Sequence, residues 1–206
     1  AEGDATLHSE NSLVNFAVKL SDVALLAPEY TGALAVKGTA TEDAKGWSVD
    51  VNADGPYGAT AALVGLVTGP DAAADIKVGL PDVGVFVPEI SGPFSAKGNG
   101  KKTPEGWNVT FDAKGPSGTT ATVGGVVRDD GDLDIKVSGA APLGLSAPFI
   151  QPRILQGQMD FDLAVRGAPV LSSISGTVTT EGASFSEPNL RLGLTDIATN
   201  AKLANG

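Results

Sequence analysis

Four carboxylates, Asp129, Asp130, Asp132 and Asp134, crowd around Gly131. Clustered oxygens of this kind are what hard divalent cations select. Beyond Gly131, however, the spacing departs from a calcium-binding loop, and the corresponding earlier stretch TGPDAAAD (Thr68 to Asp75) lacks most of the acids. An Asp-Gly hairpin turn with solvated charges accounts for the cluster better. Asp160 and Asp162 flank Phe161 at strand spacing, which sets both carboxylates on one polar face. Paired acids can hydrolyse glycosides, but acidic strand surfaces are also ordinary. His8 is the only histidine and sits in a polar stretch without a recognisable partner, which argues against nucleophilic Ser-His chemistry. The absence of cysteine removes thiolate nucleophiles, disulfides and zinc-thiolate sites together. Trp47 and Trp107 have the chemistry to stack on sugars or bases, yet they alternate with valines, which assigns them to apolar packing. No phosphate-binding loop, dinucleotide fingerprint or zinc spacing occurs. Enzyme is therefore the weakest functional class, and no cofactor is expected.

The residues between these groups show which elements must carry them. Trp107, Val109, Phe111 and Ala113 alternate with Asn108, Thr110, Asp112 and Lys114, the period of two of a strand with one apolar face. Val49 and Val51 follow the same alternation, as do Val14, Phe16, Val18 and Leu20, and so do Met159, Phe161, Leu163 and Val165. Leu190, Leu192 and Leu194 alternate likewise. Leu63 and Val123 occupy corresponding places in two further apolar runs. These residues make up the expected apolar face. DGP, KGP, RDDGD and RGAP separate the runs, and their Gly, Pro and Asp suit tight turns. With no convincing helical period in any window, the expected class is all-β, built from antiparallel hairpins. The longest apolar run, ATAALVGLV from Ala59 to Val67, falls short of the roughly 18 residues a membrane helix requires.

The chain also repeats itself. Leu20 to Thr68 aligns with Leu80 to Arg128 at an offset of sixty without a gap, and 19 of the 49 pairs are identical. That agreement reaches GWSVDVNADGPYG at Gly46 and GWNVTFDAKGPSG at Gly106, so a duplicated structural unit is the plain explanation. The repeats are set at 20–79 and 80–139 within a single elongated β segment of 1–206. DIKV recurs at Asp75 and Asp134, and GALAVKG at Gly32 is echoed by FDLAVRG at Phe161. Tryptophan and glycines persist between the copies while the polar letters drift, as expected if the former set packing and turning and the latter face water.

Periodicity alone leaves two architectures open: a closed β-sandwich, in which the apolar face is a dry core and the chain a repeat adhesin or structural module, or an open curved sheet, in which it forms a trough. Aromatics are only 5% of the chain, and Ala61, Gly65, Ala113, Ala121 and Gly125 occupy inward positions. So little side-chain volume favours the trough. The formal charge of −10 opposes binding to nucleic acid and to anionic membrane surfaces, and no basic patch is visible along the chain.

From Ile174 the sequence reads ISGTVTTEGASFSEPNLRLGLTDIATNAKLANG. With its SGTV strand, GASFSEP turn and LRLGLTDI strand, this region, taken with 140–206 as a whole, resembles the C-terminal portion of the TamB translocation-and-assembly-module family. The region from Leu20 to Gly167 is similar to the repetitive β body of that family and its AsmA-like relatives. The resemblance implies a long antiparallel sheet folded over like a taco around a hydrophobic groove open along one side. It implies a segment near the C-terminal end of a longer protein that is anchored in the inner membrane of a Gram-negative bacterium by an N-terminal helix and crosses the periplasm. The implied partners are phospholipid acyl chains in the groove, a TamA-like outer-membrane barrel protein and nascent outer-membrane proteins such as autotransporters. Some twelve to sixteen strands at about 4.8 Å each would give a sheet roughly 60 to 75 Å long.

Overall fold

The computed structural model describes residues 2–6, 12–25 and 31–204. His8 lies outside the described residues. Hairpin chemistry dominates the architecture, because most connections are too short to do anything but reverse the chain. The strands are β1 (Glu2–Thr6), β2 (Leu13–Leu20), β3 (Leu34–Asp43), β4 (Gly46–Asp54), β5 (Thr60–Leu66), β6 (Ala73–Leu80) and β7 (Phe94–Thr103). They continue with β8 (Gly106–Lys114), β9 (Thr120–Val127), β10 (Leu133–Pro142), β11 (Ile154–Gln156), β12 (Gln158–Gly167), β13 (Ile174–Glu187) and β14 (Leu192–Leu203). All fourteen join one antiparallel sheet in an order that almost follows the chain. Short β11 and long β12 lie along the same side of β13, and β14 pairs with its other side. Among the described residues the sheet does not close on itself, and no second sheet packs against it. The fold is therefore an open, taco-like antiparallel sheet, and the closed sandwich does not form.

The two sequence copies share the geometry of their Gly-Pro turns. Gly55 and Gly115 lead into short 3-10 turns, Pro56–Gly58 and Pro116–Gly118, whose central residues Tyr57 and Ser117 take left-handed conformations with φ of 59° and 55°. Within the strands, Gly65 and Gly125 have φ of +149° and +147°, and a side chain at either would overlap a carbonyl oxygen of the next strand. This accounts for the persistence of those glycines between copies.

Two expectations require correction. The GASFSEP segment is not a turn: β13 runs through it to Glu187, with register irregularities against β14 on either side of Ala183. The turn follows, at Pro188–Leu190, where Glu187 accepts a hydrogen bond from the Asn189 N–H and Arg191 is left-handed. Leu190 consequently sits in that turn, 75% exposed, and the last strand starts at Leu192. Because β11 and β12 share one position in the ladder, the fourteen strands make thirteen positions, which at about 4.8 Å each give about 62 Å, within the expected length. The only α-helix among the described residues is the single turn Ala147–Ile150, and no described helix is long and apolar enough to cross a membrane.

The described residues form no sealed core of the usual kind. The buried hydrophobic residues are all alanines, Ala72, Ala74, Ala141 and Ala183, and no large side chain is fully buried among the described residues.

Candidate functional site

In an antiparallel ladder, directly opposed residues point to the same face, so the register fixes which side chains are neighbours. One row starts at Phe16 on β2 and passes through Gly38, Val51, Leu63, Ile76 and Gly98. It continues through Phe111, Val123, Val137, Leu163 and Gly176 to Leu203 on β14. No polar side chain interrupts it. A parallel row runs from Val14 through Ala40, Val49, Gly65, Ala74, Gly100, Val109 and Gly125 to Ile135, Val165 and Ile174. Met159 opposes Ala141, and Trp107 opposes Val127, on the same face.

Between the first row and the long-loop rim of the sheet lies a third row of smaller residues. From β4 to β10 it reads Ala53, Ala61, Val78, Ala96, Ala113, Ala121 and Gly139. The row then meets Phe161. Flanked by Leu63, Ile76, Phe111 and Val123 on one side and by Leu80 and Phe94 on the other, it forms a shallow apolar track across seven strands, about 29 Å by strand spacing.

The aromatic rings do not stand up from this surface. Phe16 opposes Gly38, Phe111 opposes Gly98 and Phe161 opposes Gly139. A methyl group at those glycines would lie 3.0 Å from Phe16 Cζ, 2.5 Å from Phe111 Cδ1 and 2.8 Å from Phe161 Cζ, so each ring leans over the bare backbone of its partner. Such aromatic cover of a glycine protects the backbone and keeps the face low.

The sequence expectations fall into place unevenly. Val49, Val51, Leu63, Trp107, Val109, Phe111, Val123, Met159, Phe161, Leu163 and Val165 all share the apolar face, and every one is partly buried rather than sealed. Leu192 and Leu194 lie beyond the register irregularities, opposite Glu187 and Phe185, and are exposed. Leu190 is not on a strand. Ile76, Val78, Ile135 and Val137 also join the face; the alternation within the recurring DIKV motif was the signal for them.

The candidate acids separate into structural roles. Asp130 accepts a hydrogen bond from the Asp132 N–H across the Gly131 turn, Asp129 pairs with Lys102 at 2.5 Å, and Asp134 lies 3.6 Å from Arg166. Lys102 Nζ also stands 5.9 Å from the centre of the Trp107 ring, at the hairpin end of the apolar face. Asp160 and Asp162 lie on the opposite, polar face, opposed to Ala140 and Ser138.

Two carboxylates that alternation does not reveal organise the long connections. Asp82 accepts hydrogen bonds from the backbone N–H groups of Gly84 and Gly92, each at 2.9 Å, and these donors hold it below the ordinary carboxylate range. Asp22 does the same with Ala24 and Gly32, each at 3.0 Å. Their sequence signal was an identical letter sixty residues apart. No protein-family model, curated protein or solved structure matches the chain.

Proposed function

We propose that this protein carries phospholipid acyl chains along its apolar face, as a lipid-transfer segment of TamB type. The observation that carries the proposal is a continuous apolar surface, crossing the sheet from β2 to β14, that the described residues leave without a covering layer. Large exposed apolar patches on soluble proteins mark binding surfaces, and this one has the geometry of a track rather than a pocket. Burying a methylene is worth about 0.8 kcal/mol, so a sixteen-carbon chain gains roughly 12 kcal/mol on leaving water for such a surface. Because valine, leucine, isoleucine and alanine recur along the rows with few polar anchors, successive positions bind a chain about equally. A chain can then shift by one strand without first losing its binding energy. Uniformity of this kind suits conduction more than storage.

Resemblance to the TamB family supplies the setting of the proposal: a periplasmic path from the inner to the outer membrane, ending at a TamA-like barrel protein and supporting outer-membrane protein assembly. The strand geometry supplies the test. A photo-crosslinking residue at Val109 or, on the opposite face of the same strand, at Thr110 is irradiated with the purified protein and a phospholipid bearing a labelled acyl chain. Labelling at Val109 that greatly exceeds labelling at Thr110 is the expected result. Equal labelling at the two positions, or none at either, would overturn the proposal.

A further inference from the structure

The polar face contains a site of opposite character. Between β6 and β10 its side-chain rows flank an open hollow of about 610 Å³ whose lining includes Lys77, Lys97 and Lys114 as well as Val78, Ala96 and Ala121. The three lysines come from separate strands, which is why no basic patch is visible along the sequence. Lys97 stands directly opposite Lys77 on one side, an arrangement of like charges that costs stability when nothing lies between them, and opposite Asp112 on the other. Lys114 opposes Ser95 on one side and Thr120 on the other, which brings hydroxyl groups to the same hollow. Among the described residues, none of the three lysines forms an ion pair. The one carboxylate in the hollow, Asp112, already accepts a hydrogen bond from the Thr122 hydroxyl at 3.3 Å. Asp75 lines an adjoining hollow of about 430 Å³, which shares Lys77, Lys97 and Asp112.

The duplication provides an internal control. At the corresponding places the first copy has Ala17 for Lys77, Lys37 for Lys97, Asn52 for Asp112 and Asp54 for Lys114. The same scaffold therefore carries Lys37 against Asp54, a formal charge of zero, where the second copy has three lysines against one acid, a formal +2. In a chain whose net charge is −10, this local reversal concentrates positive potential in a concave site.

We infer that this hollow binds a small phosphate-bearing anion, with the three ammonium groups neutralising the phosphate and the hydroxyls of Ser95 and Thr120 completing its hydrogen bonds. A phosphomonoester carries close to two negative charges at neutral pH and three strong acceptor oxygens, which matches the charge and donors of the site. The volume exceeds that of phosphate alone and accommodates a short polar group attached to it. By the strand alternation, the three lysine side chains face the side of the sheet opposite the apolar track, so a tail lying in the track does not bring its headgroup to them. The site is thus independent of the proposed lipid path.

The test is an NMR titration of the complete chain with glycerol 3-phosphate and, separately, inorganic phosphate, at low ionic strength. Saturable shifts confined to Lys77, Lys97, Lys114 and the adjacent strands are expected. Lys114→Asp, which restores the first copy's residue, should weaken binding about tenfold, whereas Lys37→Ala should leave it unchanged. Lys97→Gln serves as a second variant, and circular dichroism verifies that each variant is folded. Unchanged affinity in folded Lys114→Asp and Lys97→Gln, shifts spread over all lysines, or no saturable binding would overturn the assignment. A parallel arm uses phosphatidylglycerol vesicles with phosphatidylcholine vesicles as control. Capture by phosphatidylglycerol alone, without saturable binding of either soluble phosphate, would assign the surface to a lipid headgroup and overturn the soluble ligand.

Discussion

Each phenylalanine that opposes a glycine illustrates how a single residue can keep an exposed apolar face from growing rough. At Gly98 an added methyl would overlap the Thr110 carbonyl oxygen and press on the Phe111 ring at 2.5 Å. Either the strands must separate locally or the ring must stand up into the track. Gly98→Ala is therefore expected to cost about 1 to 3 kcal/mol, the usual range for forcing extra volume into a packed site. Urea denaturation measures the loss. Repeating the substitution in a Phe111→Ala background should recover the share due to the ring and leave the share due to the backbone. An unchanged urea midpoint for Gly98→Ala would show that the ring does not depend on the bare backbone. The same pairs explain why aromatic residues are tolerated on a surface otherwise built from small and branched side chains.

Among the connecting elements, the long loop from Pro81 to Pro93 is held by Asp82, just as the loop beginning at Ser21 is held by Asp22. Both carboxylates lie below their ordinary value of 3.8 because backbone N–H groups donate to the charged form. A lowered folded pKa means that the clamp contributes stability above the unfolded value and loses it as pH falls through the lower folded value. The amide resonances of Gly84 and Gly92 should consequently titrate together on acidification, with a common midpoint below 3.8, and Asp82→Ala should abolish that titration. A midpoint at or above 3.8 would contradict the clamp. Strands and hairpins were legible in the sequence because alternation and Gly-Pro turns are local signals. Trp107, Val109 and Phe111 could be assigned to one face without knowing their neighbours. The opposition of Phe111 to Gly98 and the gathering of Lys77, Lys97 and Lys114 were not legible, because both depend on register across strands. Leu190 misled for a related reason: the leucine alternation runs unbroken through a turn that Pro188 and left-handed Arg191 impose.

At the scale of the whole molecule, each strand is packed chiefly by its two neighbours, which makes the sheet close to a one-dimensional array. The sixty-residue period comprises four strands, an even number, so removing one period preserves strand direction as well as face. Deletion of residues 61–120 would join Thr60 to Ala121 and place β9 beside β4, with Ala121 replacing Ala61 opposite Ala53 and Val123 replacing Leu63 opposite Val51. The Phe16–Gly38 and Phe161–Gly139 pairs would remain intact. The shortened protein is expected to fold, to keep its β-rich circular dichroism and to lose about 19 Å of length in small-angle scattering, four strands at about 4.8 Å each. Deletion of residues 47–106 tests the same idea under strain, because it would bring Phe16 and Phe111 to opposite sides of the single glycine Gly38. It should yield a less stable sheet than the first deletion. If the 61–120 deletion failed to fold, the strands could not be additive units, and distant parts of the sheet would have to support one another across the apolar face. That outcome would also weaken the case for an open track, since such support requires the face to be covered from within.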